Sequence, residues 1–173
     1  MRSVVVLVVV LAASSAACAQ QTQTLSLFRS DIDEPGGYGV SYERMFAPRW
    51  SVQASVAVEH HRSYEYVYED NGAITLVPRE RLRTMPIDLV ARYHWLNDTR
   101  WKPYIGLGAH YVAAPDADRR FRYRNHLEAG INGGTLFMLT HELGLMLDGR
   151  IYAGNHESYD QSPRTSIGLS WRF

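Results

Sequence analysis

Val52, Ala54, Val56 and Val58 stand between Ser51, Gln53, Ser55, Ala57 and Glu59, and Met85, Ile87, Leu89, Ala91, Tyr93 and Trp95 alternate with Asp88, Val90, Arg92 and His94. A period of two belongs to a β-strand with one apolar and one polar side. The same alternation runs through Ile105, Leu107, Ala109 and Tyr111, through Leu127, Ala129 and Ile131, and through Leu143, Leu145, Leu147 and Ile151. It closes the chain as Thr165, Ile167, Leu169, Trp171 and Phe173, with Ser166, Gly168, Ser170 and Arg172 between them. Tyr38, Val40 and Tyr42 mark another strand, and Leu25 with Leu27 a first. The pattern predicts eight strands of about the length that crosses a bilayer when tilted.

The connections alternate too. Ala47-Pro48-Arg49, Leu96 to Arg100 and Leu139 to Glu142 are tight, whereas Asp31 to Gly36, the region around Asn71, Ala113 to Asn125 and Asn155 to Pro163 are longer and polar. An even strand number with short turns at one end and long loops at the other is the plan of an all-β, eight-stranded antiparallel up-and-down transmembrane β-barrel. A soluble barrel of lipocalin type would turn the apolar side inward and leave the charged side in water. On the transmembrane reading, Glu43, Glu59, Asp88, Arg92, Lys102, Glu128, Asp148, Arg150 and Arg172 share the interior as a polar network, with several glycines giving them room. Acids and bases are nearly matched there, as buried charge requires. Trp50, Tyr93, Trp95, Trp101, Trp171 and Phe173 gather at the short-turn ends of the apolar side, where an interfacial girdle belongs. A lipocalin gives no reason for that placement.

Asn71-Gly72 is a two-residue hairpin signal of type I′. A turn there sets Trp50 against Tyr93, Val52 against Ala91, Ala54 against Leu89, Val56 against Ile87 and Val58 against Met85, apolar to apolar throughout. The same register sets Tyr64 against Arg79, Tyr66 against Val77 and Tyr68 against Thr75, with Pro78 a site for a bulge. Arms of this length exceed what a membrane strand needs, so the chain is expected to project a β-hairpin from the cell surface.

Ahead of the strands, Arg2, an apolar run from Val4 to Ala13 and Ala17-Cys18-Ala19 read as a signal peptide over residues 1–19, leaving a barrel domain over 20–173. The rival reading makes Cys18 a lipidated first residue, although Ser15 stands where such signals usually carry Leu. No disulfide framework is expected after residue 19, so stability must come from the fold.

Charge is balanced at 18 basic and 18 acidic residues, which removes the electrostatic case for nucleic acid as a partner. Arg119, Arg120, Arg122 and Arg124, interleaved with Phe121 and Tyr123, form a candidate contact for lipopolysaccharide phosphates. Metal binding is not expected: His60 and His61 are adjacent and point to opposite sides, and His110 with His126 lacks a third ligand. No cofactor is indicated. An eight-stranded barrel is just wide enough for side chains, so the interior charges read first as a network that fills the barrel and second as an ion path.

The terminal strand ending on Phe173 resembles that of bacterial outer-membrane barrels, whose last aromatic residue is read by the barrel assembly machinery. Pro86-Ile87-Asp88-Leu89 before Tyr93-His94, then Lys102-Pro103-Tyr104-Ile105-Gly106-Leu107-Gly108, is similar to adjacent strands of the OmpW family, and Leu136-Phe137-Met138-Leu139-Thr140 resembles a turn of OmpA-like barrels. The resemblance implies location in the cell outer membrane, a monomer in contact with outer-membrane lipid and, for OmpW relatives, a conduit for small hydrophobic molecules. Asn155-His156-Glu157-Ser158 resembles the motif of outer-membrane lipid A deacylases, in which His156 and Ser158 would be base and nucleophile. Tyr159 stands where that family carries Asn. The reading favoured here is a nonenzymatic surface-exposed structural or interaction protein, with the conduit and then the deacylase as alternatives.

Overall fold

Alternating segments become strands because only the apolar side can face outward while the backbone pairs with itself. In chain order they are β1 (Gln23–Ser30), β2 (Gly37–Ala47), β3 (Trp50–Tyr68), β4 (Ile74–His94), β5 (Trp101–Ala113), β6 (His126–Met138), β7 (Leu143–Ala153) and β8 (Arg164–Arg172). The computed structural model describes residues 22–30, 36–68, 74–113, 126–153 and 164–173, and of residues 61–68, 74, 76–82 and 126 the backbone alone. Each strand pairs antiparallel with its neighbour, and β1 pairs with β8, closing the barrel. At the seam Gln23 and Phe173 exchange two backbone hydrogen bonds of 3.0 and 2.9 Å.

Pro48-Arg49, Trp95 to Arg100 and Leu139 to Glu142 make the tight turns at one end. The third is pinned by Thr140, whose Oγ1 accepts from the backbone nitrogens of Glu142 and Leu143 at 3.2 and 2.9 Å. The long connections fall on residues 31–35, 69–73, 114–125 and 154–163, outside the described residues, as does the expected signal peptide. Gly36, at a φ of 51°, takes the left-handed conformation that leads into β2.

The wall is apolar outside. Leu27, Leu89, Ile105, Leu107, Leu127, Ile131, Leu147, Ile151 and Leu169 are exposed on it, with Trp50, Trp95, Trp101, Trp171 and Phe173 exposed toward the short turns. Trp50 lies edge-on to Tyr93 at 5.1 Å, and Trp101 to Phe137 at 6.0 Å. Inside, rings lie over glycines of the next strand. A Cβ on Gly134 would stand 2.7 Å from the Tyr104 hydroxyl, one on Gly130 2.6 Å from the Tyr152 ring, and one on Gly39 would run into the Phe28 ring. Cross-strand glycines are what let bulky rings fit so narrow a lumen.

The β3–β4 register is the expected one from Trp50 opposite Tyr93 to Arg62 opposite Arg81. Beyond that it is not: Tyr64 faces Pro78, Tyr66 faces Leu76 and Tyr68 faces Ile74, where Arg79, Val77 and Thr75 were expected. One extra residue enters β4 between Pro78 and Arg81. Proline offers no N–H to the ladder, and a bulge beside it absorbs the loss. The expected Asn71-Gly72 turn lies outside the described residues.

Candidate functional site

Residues of the inner parity meet across the lumen in one connected chain. Glu43 of β2 accepts from Ser51 Oγ at 2.5 Å, from His94 Nε2 at 2.8 Å and from Arg92 Nη1 at 3.1 Å. Arg92 of β4 reaches on to Asp148 of β7, Nη2 to Oδ1, at 2.9 Å and lies 4.0 Å over the Tyr104 ring. Asp148 also accepts from the Tyr104 hydroxyl at 2.7 Å, from Asn132 Nδ2 at 3.0 Å and from Arg150 Nε at 2.5 Å. Arg150 then donates through Nη1 to Asp88 of β4. Asp88 takes further bonds from Ser55 Oγ at 2.7 Å, His110 Nδ1 at 2.5 Å and the Tyr152 hydroxyl at 3.3 Å. The His110 and Tyr152 rings stack at 3.9 Å. Nearer the long-loop end, Arg164 pairs with Glu59 at 2.9 Å.

Charge removed from water is tolerable only where a carboxylate is met by several donors, as Glu43, Asp88 and Asp148 are here. Arg92 and Gln53, at 1% exposure, fill the middle of the lumen. Toward the short turns it opens into a cavity of about 430 Å³, with Lys102, Arg172, His94 and Leu136 in its lining. Lys102 Nζ donates there to the Asn97 carbonyl, and Arg172 Nη2 to Thr22 Oγ1 at 3.0 Å. Glu128 lies on the inner parity of β6, opposite His110 and half-buried. His94, His110, Tyr104, Asn132, Tyr152, Ser51 and Ser55 were not singled out as network members from sequence. All share inner parity with the charged residues, so parity applied to neutral polar and aromatic side chains would have found them.

Ser51, His94 and Glu43 invite comparison with a hydrolase. The comparison fails on geometry: the imidazole meets both the hydroxyl, at 3.0 Å, and the carboxylate through Nε2, while its Nδ1 has no partner. A working base needs the acid on the nitrogen opposite the nucleophile. His156 and Ser158 lie outside the described residues, and so do Arg119, Arg120, Arg122 and Arg124. Among the described residues no three of His, Cys, Asp and Glu are grouped to hold a metal ion.

On the outer wall, Leu27, Val40, Ile167 and Leu169 border a shallow apolar groove of about 590 Å³ across β1, β2 and β8, with Arg29 and Tyr38 at one end.

The family model of the OmpW family matches residues 1–142. Among solved structures, the N-terminal β-barrel domain of Pseudomonas aeruginosa OprF superposes with a TM-score of 0.66 at 13% identity, covering 89% of this chain and 100% of that one. The outer membrane protein OprG from the same organism gives 0.63 at 15%, covering 90% and 96%. Yersinia pestis Ail in a phospholipid bilayer nanodisc gives 0.57 at 14%, covering 89% and 100%. At such identities these likenesses concern the fold alone. Comparison with curated proteins gave no significant match. With its apolar wall, aromatic girdle and family match, this protein resides in the cell outer membrane and belongs to the OmpW family.

Proposed function

We propose that the protein is a non-conducting surface barrel whose task is to hold a β-ribbon clear of the outer leaflet as a contact structure. One observation carries the reading. Among the described residues, β2 last pairs with β3 at Glu59 and β5 last pairs with β4 at Met85, yet β3 and β4 go on pairing with each other to Tyr68 and Ile74. The charged lumen supports it from below, since a chain of ion pairs from Glu43 to Asp88 is a poor path for hydrophobic molecules and narrows the case for the conduit. Arg119, Arg120, Arg122 and Arg124 are proposed to hold lipopolysaccharide phosphates around the ribbon's base, and Phe173 to present the terminal strand to the assembly machinery of a monomeric barrel.

The test is an epitope inserted after Asn71, together with proteoliposome swelling in arabinose. Antibody should bind intact cells, and the vesicles should swell no faster than protein-free ones. An epitope reached only after permeabilisation, or rapid swelling, would remove the proposal.

A further inference from the structure

Arg29 stands on the wrong side of the barrel for a charged residue. β1 turns Leu25, Leu27 and Arg29 outward, all three exposed. The register sets Arg29 between Tyr38 of β2 and Ile167 of β8, directly above Leu27, which itself lies between Val40 and Leu169. The guanidinium therefore heads a column of apolar side chains on the surface that lipid covers. A lone arginine on that surface costs about 2–4 kcal/mol at mid-bilayer, falling toward the interface. An ionisable group so placed calls for a partner of opposite charge.

The groove supplies the rest of the pattern. Its walls are aliphatic, its volume of about 590 Å³ suits a hydrocarbon chain, and its charged end is Arg29. Tyr38, 75% exposed, adds a phenol beside the guanidinium. Aromatic hydroxyls of this kind sit at headgroup level. We propose that this seam holds a lipid A molecule, with a phosphate on Arg29 and one acyl chain along the groove. A guanidinium fork fits two phosphate oxygens at once, and a low dielectric strengthens the pair.

Orientation selects lipid A over a phospholipid. β1 begins at the short-turn end, where Gln23 pairs with Phe173, and Arg29 lies near its opposite end. In outer-membrane barrels short turns face the periplasm, so Arg29 belongs to the outer leaflet, whose phosphorylated lipid is lipid A. The site needs only an inserted barrel and would stand if the ribbon proved inert.

Native mass spectrometry of the folded, detergent-solubilised protein, titrated with bisphosphorylated lipid A or with phosphatidylglycerol, tests this. The wild type should retain lipid A preferentially. Arg29→Gln should weaken retention roughly tenfold, the worth of one charge-assisted pair. Arg29→Lys, which keeps the charge and loses the fork, should fall between. Leu27→Trp should also weaken it by filling the groove. Arg29→Gln removes a charge from an apolar wall and so should fold; a heat-shifted gel band checks every variant. Unchanged retention by Arg29→Gln, or phosphatidylglycerol held as tightly as lipid A, would overturn the assignment.

Discussion

Asp148 receives hydrogen bonds from Arg92, Tyr104, Asn132 and Arg150, so β4, β5, β6 and β7 all converge on one carboxylate. Neutralising it leaves two guanidinium groups short of their counter-charge in a space water scarcely enters. Asp148→Asn should therefore destabilise the barrel by about 3–5 kcal/mol, read as a lowered urea midpoint in lipid vesicles. Glu142→Gln, in an exposed turn, should change it by about 0.5 kcal/mol or less. Alternation reveals that Asp148 points inward, because parity is a local property. It does not reveal that Arg92 of β4 reaches this carboxylate, because which strands face each other across the lumen depends on how the sheet is tilted and closed. His110 is different: it pairs directly with Asp88 of the adjacent strand, and its Nδ1 bonds that carboxylate.

The β3–β4 ribbon was legible in length and in lower register, since Trp50 to Val56 meet the partners that apolar matching requires. Its upper register was not, although Pro78 marked the place of the bulge. An Asn-Gly pair fixes register only if every residue between turn and membrane takes its place in the ladder, and the extra residue beside Pro78 breaks that count. Among the described residues, 61–68 pair only with β4 and 74–84 only with β3. Their paired amides should exchange more slowly than loop amides but faster than those of residues 50–58, which have strands on both sides. Uniformly fast exchange across the ribbon would show that the pairing does not persist. The terminal strand offers a sharper dissection. Removing Phe173 takes away two backbone bonds at the seam and the exposed aromatic together. We expect a several-fold lower yield in the outer membrane, while the purified chain refolded in detergent still shows a heat-shifted band. Loss of both would mean that the seam, and not recognition, is what Phe173 supplies.

The barrel as a unit joins two surfaces with opposite demands: a wall that must stay dry and a lumen that carries paired charge. The lumen pairs draw together residues far apart along the chain. Arg92 and Asp148 are 56 residues apart, Arg150 and Asp88 are 62, and Glu59 and Arg164 are 105. These pairs form only once the sheet curls far enough for strands three or more apart to face each other, so early strands must wait for late ones. Until closure each carboxylate and guanidinium has to keep its hydration. Insertion is thus bound to a late, steep closing step, in which water leaves the lumen as β8 docks on β1, and a half-inserted open sheet is a transient that the chain has every energetic reason to leave quickly.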